Sequence, residues 1–150
     1  MSRVLALDYG ERRIGLAISD PTRTIAAPLT TLTRRAGKRP PWAELRRLVQ
    51  ENEVGELVVG LPLDLAGGEG EWAAEVRAFG AELARRTGLP VHWVDERLSS
   101  VEAERVVRGM GLKRSQRQDK ARIDSMAAAL ILRSFLESRE TQPSAGADAE

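Results

Sequence analysis

The stretch RVLALDYGERRIGLAISD, residues 3–20, decides the fold because it reads as two strands joined by a tight turn. Residues 4–7 form a short, continuous apolar run, which is typical of a strand buried on both faces of a sheet. Residues 9–13 then predict a turn, and residues 14–18 predict a strand that returns beside the first. The chain is therefore expected to begin with a buried β-hairpin.

Asp8 lies at the end of the first strand, where an apolar residue would be expected. A buried carboxylate is costly unless it has a partner, and a metal cation is the simplest such partner. The alternative is that Asp8 only caps the turn by accepting backbone hydrogen bonds. Gly10 is expected to give the turn its backbone freedom, and Gly15 to let another group approach the second strand closely.

Composition limits the classes of protein that the chain can form. Its 150 residues predict one domain over residues 1–140, and the small polar residues 141–150 predict a disordered tail. The absence of cysteine excludes disulfides and zinc–thiolate sites, and a single histidine, His92, excludes sites that need several. No apolar segment is long enough to span a membrane and no signal-peptide pattern is present, so we expect a cytoplasmic protein without membrane contact. The net charge of +1 means that any basic surface must be local.

Helical and extended patterns alternate after the hairpin. A third strand is predicted over residues 24–33, with Ile25, Leu29 and Leu32 as its apolar members. A helix from Trp42, a strand over 56–60, a helix over 72–83 and a strand over 91–94 follow. Two more helices are predicted, one opened by Ser99 and Glu102 and a last one from Ile123 with Asp124 in its first turn. Right-handed crossovers then predict an α/β fold whose five-stranded mixed sheet has the order 3-2-1-4-5, with helices on both faces.

Acidic residues are predicted to meet at one edge of this sheet. The first, fourth and fifth strands run parallel, so Asp8 and the pair Asp95-Glu96 lie at the edge where open sheets bind ligands. Asp124 joins them if the last helix points its N-terminus toward that edge. Carboxylate oxygens favour Mg²⁺ or Mn²⁺ over zinc. Strand alternation lets only one of Asp95 and Glu96 face Asp8; Glu96 reaches further, but alternation alone leaves the choice open.

Basic residues are predicted to surround these acids. They are Arg12 and Arg13 in the first turn, Arg34, Arg35, Lys38 and Arg39 after the third strand, Arg97 after Glu96, and Lys113, Arg114, Arg117 and Lys120 in a polar segment before Asp124. Such an arrangement suits the cutting of a phosphodiester, because metal ions organise the scissile phosphate and arginines hold its neighbours. The alternative is that these segments are ordinary solvated loops.

Four motifs together resemble the YqgF/RuvX family of bacterial RNase H-like nucleases. They are LDYGERRIGLAISD at residues 7–20, VVGLPL at 58–63, VDERLSS at 94–100 and DSMAAALIL at 124–132. The resemblance spans residues 4–136 and implies an RNase H-like, metal-dependent endonuclease with two Mg²⁺ or Mn²⁺ ions. The family is linked to maturation of the 5′ end of pre-16S rRNA, and its members are also described as candidate Holliday junction resolvases.

Carried over by motif, the catalytic and metal-binding acids of the family would be Asp8, Glu96 and Asp124. Other RNase H-like nucleases usually take an acid from the strand beside the first, where this chain has Gly60-Leu61-Pro62. The resemblance implies that Glu96 replaces that acid, which leaves Asp95 for a structural role in the following turn.

Three other functions remain open at this point. A resolvase of branched DNA would use the same acids as a dimer, and the sequence does not separate a monomer from a homodimer. A non-catalytic rRNA-binding assembly factor would keep the fold, although retention of all three acids argues against it. An actin-like ATPase could share the turn at Asp8-Tyr9-Gly10, but such proteins bind nucleotide between two domains of this kind. We expect structured RNA as the preferred partner, with branched DNA as the alternative.

Overall fold

The computed structural model describes residues 2–34, 39–64, 66–96 and 117–140. Its strands are β1 (Arg3–Tyr9), β2 (Arg13–Ser19), β3 (Ala26–Thr33), β4 (Val54–Leu61) and β5 (Val91–Asp95), and its helices are α1 (Trp42–Glu51), α2 (Glu71–Thr87) and α3 (Arg117–Glu140). The sheet order β3-β2-β1-β4-β5 confirms the predicted topology. β2 is antiparallel to β1 and β3, whereas β4 and β5 run parallel to β1.

The central strand β1 is buried on both faces, as its continuous apolar run predicts. Leu5 and Leu7 belong to a core shared with α1 and α2, while Val4 and Ala6 belong to a second core shared with α3. Helices therefore cover both faces, as expected. Because strand side chains alternate, this register places Asp8 on the α3 face of the sheet.

Four stacked aromatic rings cover the opposite face of the sheet, which packs against α1 and α2, next to the end of β1. Tyr9 lies between Trp72 and Phe79, at ring-centroid distances of 5.6 and 4.0 Å, and Phe79 stacks in turn on Trp42 at 5.5 Å. Stacked rings add directional contacts to the area that they bury. The residue that follows Asp8 is thus held by α1 and α2, which fixes the backbone of the acid.

The start of β3 differs from the prediction. Ile25 precedes the strand and is exposed, because the carboxylate of Asp20 accepts hydrogen bonds from the backbone N–H groups of Thr24 and Ile25, both at 2.8 Å. These bonds, led by the one from Ile25 and joined by the Thr22 hydroxyl, lower the pKa of Asp20 to about 2. A side chain that organises the turn in this way competes with strand formation, so the prediction that Ile25 belongs to the third strand was wrong.

The start of the last helix also differs. α3 begins at Arg117, which makes Asp124 its eighth residue rather than a member of the first turn. Residues 117–122, RQDKAR, contain no glycine or proline and mostly good helix formers, so the helix continues through them. Arg117 and Lys120 are therefore helical and do not lie in a loop. The helix predicted from Ser99 and the tail at 141–150 lie outside the described residues.

Steric contact, and not the predicted backbone freedom, explains the glycine at position 10. Its backbone is not left-handed; instead, a Cβ atom there would lie 2.7 Å from the carbonyl oxygen of Arg13. The N–H of Gly10 donates to that same oxygen at 2.9 Å and closes the turn between β1 and β2.

In the described ranges, none of the helices is long and apolar enough to cross a bilayer.

Candidate active site

Asp8 is flanked by two glycines on the α3 face of the sheet. It is buried, with 6% of its surface exposed, and it pairs across the antiparallel ladder with Gly15. On its other side β1 runs parallel to β4, and the last pair in that register is Leu7–Val59. Asp8 is one residue further along and therefore lies beside Gly60. Laterally paired residues project from the same face of a sheet, so both neighbours of the Asp8 carboxylate lack a side chain and leave space beside it.

Asp124 occupies the space above Gly15. A Cβ atom at residue 15 would lie 2.0 Å from the carbonyl oxygen of Asp124 and 3.0 Å from the amide nitrogen of Ser125. The backbone of α3 therefore rests directly on β2, beside Asp8. The expected close approach at Gly15 is confirmed, and the group that approaches is the helix that carries the third acid.

Glu96 shares the space above Gly60 with Ile131 of α3, whose Cδ1 would lie 2.5 Å from a Cβ atom at residue 60. The Cγ atom of Glu96 would lie 3.2 Å from the same Cβ, and 4% of the surface of Glu96 is exposed. In β5, Val94 packs in the α3 core and the ring of His92 lies 5.1 Å from that of Phe135 of α3. Glu96 continues this alternation onto the α3 face, the face of Asp8.

Asp95 belongs to the residues of β5 that face the opposite side of the sheet, toward α1 and α2. Trp93 packs against the core of α1 and α2, and Asp95 is paired with Leu61 of β4, which lies in that same core. The alternation that sequence reasoning left open thus places Glu96, and not Asp95, on the side of Asp8.

A basic residue, Arg13, is bonded directly to one of these acids. Its Nε donates to Oδ2 of Asp124 at 2.6 Å, and the two side chains are 36% and 22% exposed. Arg13 shares the α3 face with Gly15 because the two residues are separated by one position of β2. Sequence reasoning placed Arg13 near the acids but missed this pair, because no signal in the sequence shows that Asp124 packs over Gly15.

The other predicted basic residues are spread more widely. Arg12 and Arg39 are exposed. Arg34 lies on the opposite face of the sheet from Asp8, with its guanidinium carbon 4.7 Å from the Tyr9 ring centroid, and its backbone N–H donates to the carbonyl of Arg12 at 2.7 Å. Arg117 and Lys120 are in α3, on the same helix as Asp124. The remaining predicted residues, Arg35, Lys38, Arg97, Lys113 and Arg114, lie outside the described residues.

The donor set has the chemistry of a site for a hard divalent cation. Asp8, Glu96 and Asp124 supply only carboxylate oxygens, and the missing side chains at Gly15 and Gly60 let the backbone of Asp124 and the side chain of Glu96 lie close to the sheet beside Asp8. Within the described ranges, no three acidic or histidine side chains come close enough together to hold a metal ion, and Asp124 is engaged by Arg13. The backbone therefore brings the three acids to one place, while their side chains are not gathered around a single point.

Comparison with known proteins identifies the fold and the family. RuvC of Thermus thermophilus, solved in complex with a Holliday junction substrate, superimposes with a TM-score of 0.57 at 20% identity over 93% of this chain and 96% of RuvC. The fold is thus that of an RNase H-like α/β domain. The chain belongs to the family described as "RuvX: Holliday junction resolvase", whose model matches residues 2–138.

Similar proteins are found in several bacteria. A protein of Chloroflexus aurantiacus is 47% identical over 140 residues, which cover 93% of this chain and 90% of the relative. A protein of Koribacter versatilis is 47% identical over 137 residues, which cover 91% and 88%. Both carry the name "Putative pre-16S rRNA nuclease".

Proposed function

We propose that the chain is a Mg²⁺- or Mn²⁺-dependent endonuclease that hydrolyses phosphodiesters in structured nucleic acid, with 5′-end processing of pre-16S rRNA as its principal reaction. The observation that carries the proposal is the placement of Asp8 between Gly15 and Gly60, with Asp124 and Glu96 over those two glycines. The names of the relatives support precursor rRNA as the substrate.

Each acid would contribute from a different element. Asp8 stands on the central strand, Glu96 reaches across Gly60 from β5, and the α3 backbone sets Asp124 beside them. Together they would hold two divalent ions, which supply an activated water and stabilise charge on the phosphate. Arg12 and Arg39, with the basic residues predicted in the other loops, would hold neighbouring phosphates of the substrate.

A cleavage assay on precursor 16S rRNA tests this function directly. Asp8→Asn should abolish cleavage while the protein stays folded, because it removes a ligand charge but keeps the shape of the side chain. Asp20→Asn makes the same chemical change in an exposed turn at the opposite edge and should retain activity. Wild-type cleavage that persists in EDTA would contradict the metal mechanism, and an active Asp8→Asn variant would contradict the site.

Junction resolution is the second candidate, and the description of the family favours it. A resolvase cuts a four-way DNA junction symmetrically and as a dimer. The same protein should therefore be tested on a four-way junction beside the precursor rRNA, with its mass in solution measured by light scattering. Binding of rRNA without cleavage of either substrate would instead indicate a non-catalytic assembly factor.

A further inference from the structure

We infer that Arg13 is a positioning residue that fixes the Asp124 carboxylate for cation binding, in addition to any contact with substrate. This inference rests on the proposed function, because it takes Asp124 as one of the metal-binding acids. The observation behind it is the bond from Nε of Arg13 to Oδ2 of Asp124 at 2.6 Å, which joins residues 111 positions apart in the chain.

The backbone of Arg13 is held in place by its neighbours on both sides. Arg13 is the first residue of β2, and it pairs with Thr33 of β3 on one side. On the other side its carbonyl accepts the N–H of Gly10 at 2.9 Å, which closes the turn next to Asp8. The backbone of Arg13 is thus fixed beside Asp8, and the planar guanidinium loses less freedom per hydrogen bond than an ammonium would.

Asp124 needs such a partner because only its backbone is fixed by packing. The contact of its carbonyl oxygen with Gly15 sets the position of the helix, but it does not select a rotamer of the side chain. The carboxylate is partly exposed, so it can rotate unless a hydrogen bond orients it. Arg13 provides that bond from the same strand that carries Gly15, and one segment of β2 thus places both the backbone and the side chain of Asp124.

The geometry of the pair is compatible with binding a cation at the same time. The bond uses one oxygen of Asp124, and a carboxylate has a second oxygen with its own lone pairs. The bond also uses Nε, which is one of the five N–H donors of a guanidinium. Partners that orient a ligating carboxylate typically change metal affinity by about 10- to 100-fold when they are removed.

Calorimetric titration of the nucleic-acid-free protein with Mn²⁺ tests this role without measuring cleavage. Arg13→Gln should weaken Mn²⁺ binding by about tenfold or more, and Arg13→Lys should recover part of the loss because an ammonium can still donate to Asp124. Arg133→Gln is the matched control, since it removes the same charge from an exposed position of α3 and should bind Mn²⁺ like the wild type. Circular dichroism of each variant without metal establishes that it is folded.

Asp124→Asn separates a failure of the inference from a failure of the proposed site. If Asp124→Asn weakens Mn²⁺ binding and Arg13→Gln leaves it unchanged or tighter, the positioning role is overturned, and a tighter value means that Arg13 merely competes with the cation. If Asp124→Asn itself binds Mn²⁺ like the wild type, the proposed metal site is wrong and the role of Arg13 falls with it. Weaker binding in both variants, with part of it restored by Arg13→Lys, supports the inference.

Discussion

Glu96 lies over Gly60, and a Cβ atom at residue 60 would be 3.2 Å from the Cγ of Glu96. Glu96 follows β5, which is two strands from β1, or about 10 Å at ~4.8 Å per strand. A side chain on the intervening strand would block its path toward Asp8. The glycine on β4 therefore leaves room for an acid that follows β5 to approach the side of Asp8, as the proposed site requires.

Gly60→Ala should reduce cleavage by at least about tenfold, with a loss of stability of no more than about 2.5 kcal/mol. The added methyl would lie 2.5 Å from Cδ1 of Ile131, which is fully buried in the α3 core, and 3.2 Å from Cγ of Glu96, so both side chains have to shift. Overpacking of about 1–3 kcal/mol is partly offset by the gain of about 0.5–1 kcal/mol when alanine replaces glycine in a strand. Displacement of Glu96 by even ~1 Å can cost 100-fold in rate. Gly70→Ala, where no atom lies within 4 Å of the new Cβ, is the control for cleavage; its own urea unfolding also includes the cost of alanine at the N-cap of α2.

Gly15→Ala should damage both stability and activity. Here the new Cβ would lie 2.0 Å from a backbone oxygen of α3, which no rotamer change can relieve. The helix has to move off β2, so we expect a loss of about 1–3 kcal/mol or more in the free energy of unfolding, together with loss of cleavage. Urea denaturation measures the first and the rRNA assay the second. Wild-type stability of this variant would mean that α3 does not rest on β2 as described.

The sheet order could be predicted because each strand has a clear apolar signal and each connection obeys a general handedness rule. The continuous run at residues 4–7 indicated burial on both faces of β1, and both cores contain residues of that run. The position of Ile25 could not be predicted, because the hydrogen bonds that the Asp20 carboxylate accepts from the amides of Thr24 and Ile25 override its strand propensity. The start of α3 was wrong for a similar reason: a polar composition at residues 117–122 does not by itself break a helix.

The acids of the candidate site were identifiable, but their environment was not. Asp8 was indicated by its position at the end of an apolar strand, and alternation restricted the next acid to one of two neighbours. The bond between Arg13 and Asp124 joins distant residues, and only the packing of α3 on Gly15 brings them together. Sequence periodicity contains no information on which helix residue meets which strand residue at such a contact.

A second ionic cluster, at the edge opposite the acids, was not indicated by any motif. The carboxylate of Glu56 on β4 accepts hydrogen bonds from Nη2 of Arg139 and Nε2 of His92, both at 2.8 Å, and from the guanidinium of Arg23. Burial by itself would raise the pKa of Glu56, but the bonds from Arg139 and His92 and the charges of Arg139 and Arg23 outweigh it and lower the pKa. The cluster ties α3, β5 and the turn before β3 to β4.

Glu56→Gln should therefore destabilise the protein in a pH-dependent way. We expect a loss of about 1–2 kcal/mol at pH 7, between the values typical of exposed and of buried ion pairs. Because the pKa of Glu56 is lower in the folded chain, its stabilisation is complete above the unfolded value of about 4.3 and is lost as the pH falls through the folded value. Urea unfolding of both proteins at pH 7, 5 and 3 measures the difference in their free energies of unfolding, which is the shift in the urea midpoint multiplied by a common denaturant slope. A difference that stays constant or grows between pH 5 and pH 3 would contradict the assigned role of this carboxylate.

Asp95 and Glu96 are neighbours with opposite predicted roles, and their variants test the register of β5. Glu96→Gln should abolish cleavage with little change in melting temperature, because the amide keeps the shape of the side chain over Gly60 but lacks the ligand charge. Asp95→Asn should retain measurable cleavage, because Asp95 belongs to the face of Trp93 and lies at the level of Leu61, away from Asp8. The two variants remove the same charge one residue apart, so each controls for the other in the rRNA assay and in thermal unfolding. An inactive Asp95→Asn beside an active Glu96→Gln would show that the strand is shifted by one residue, and the acid assigned at Glu96 would then be wrong.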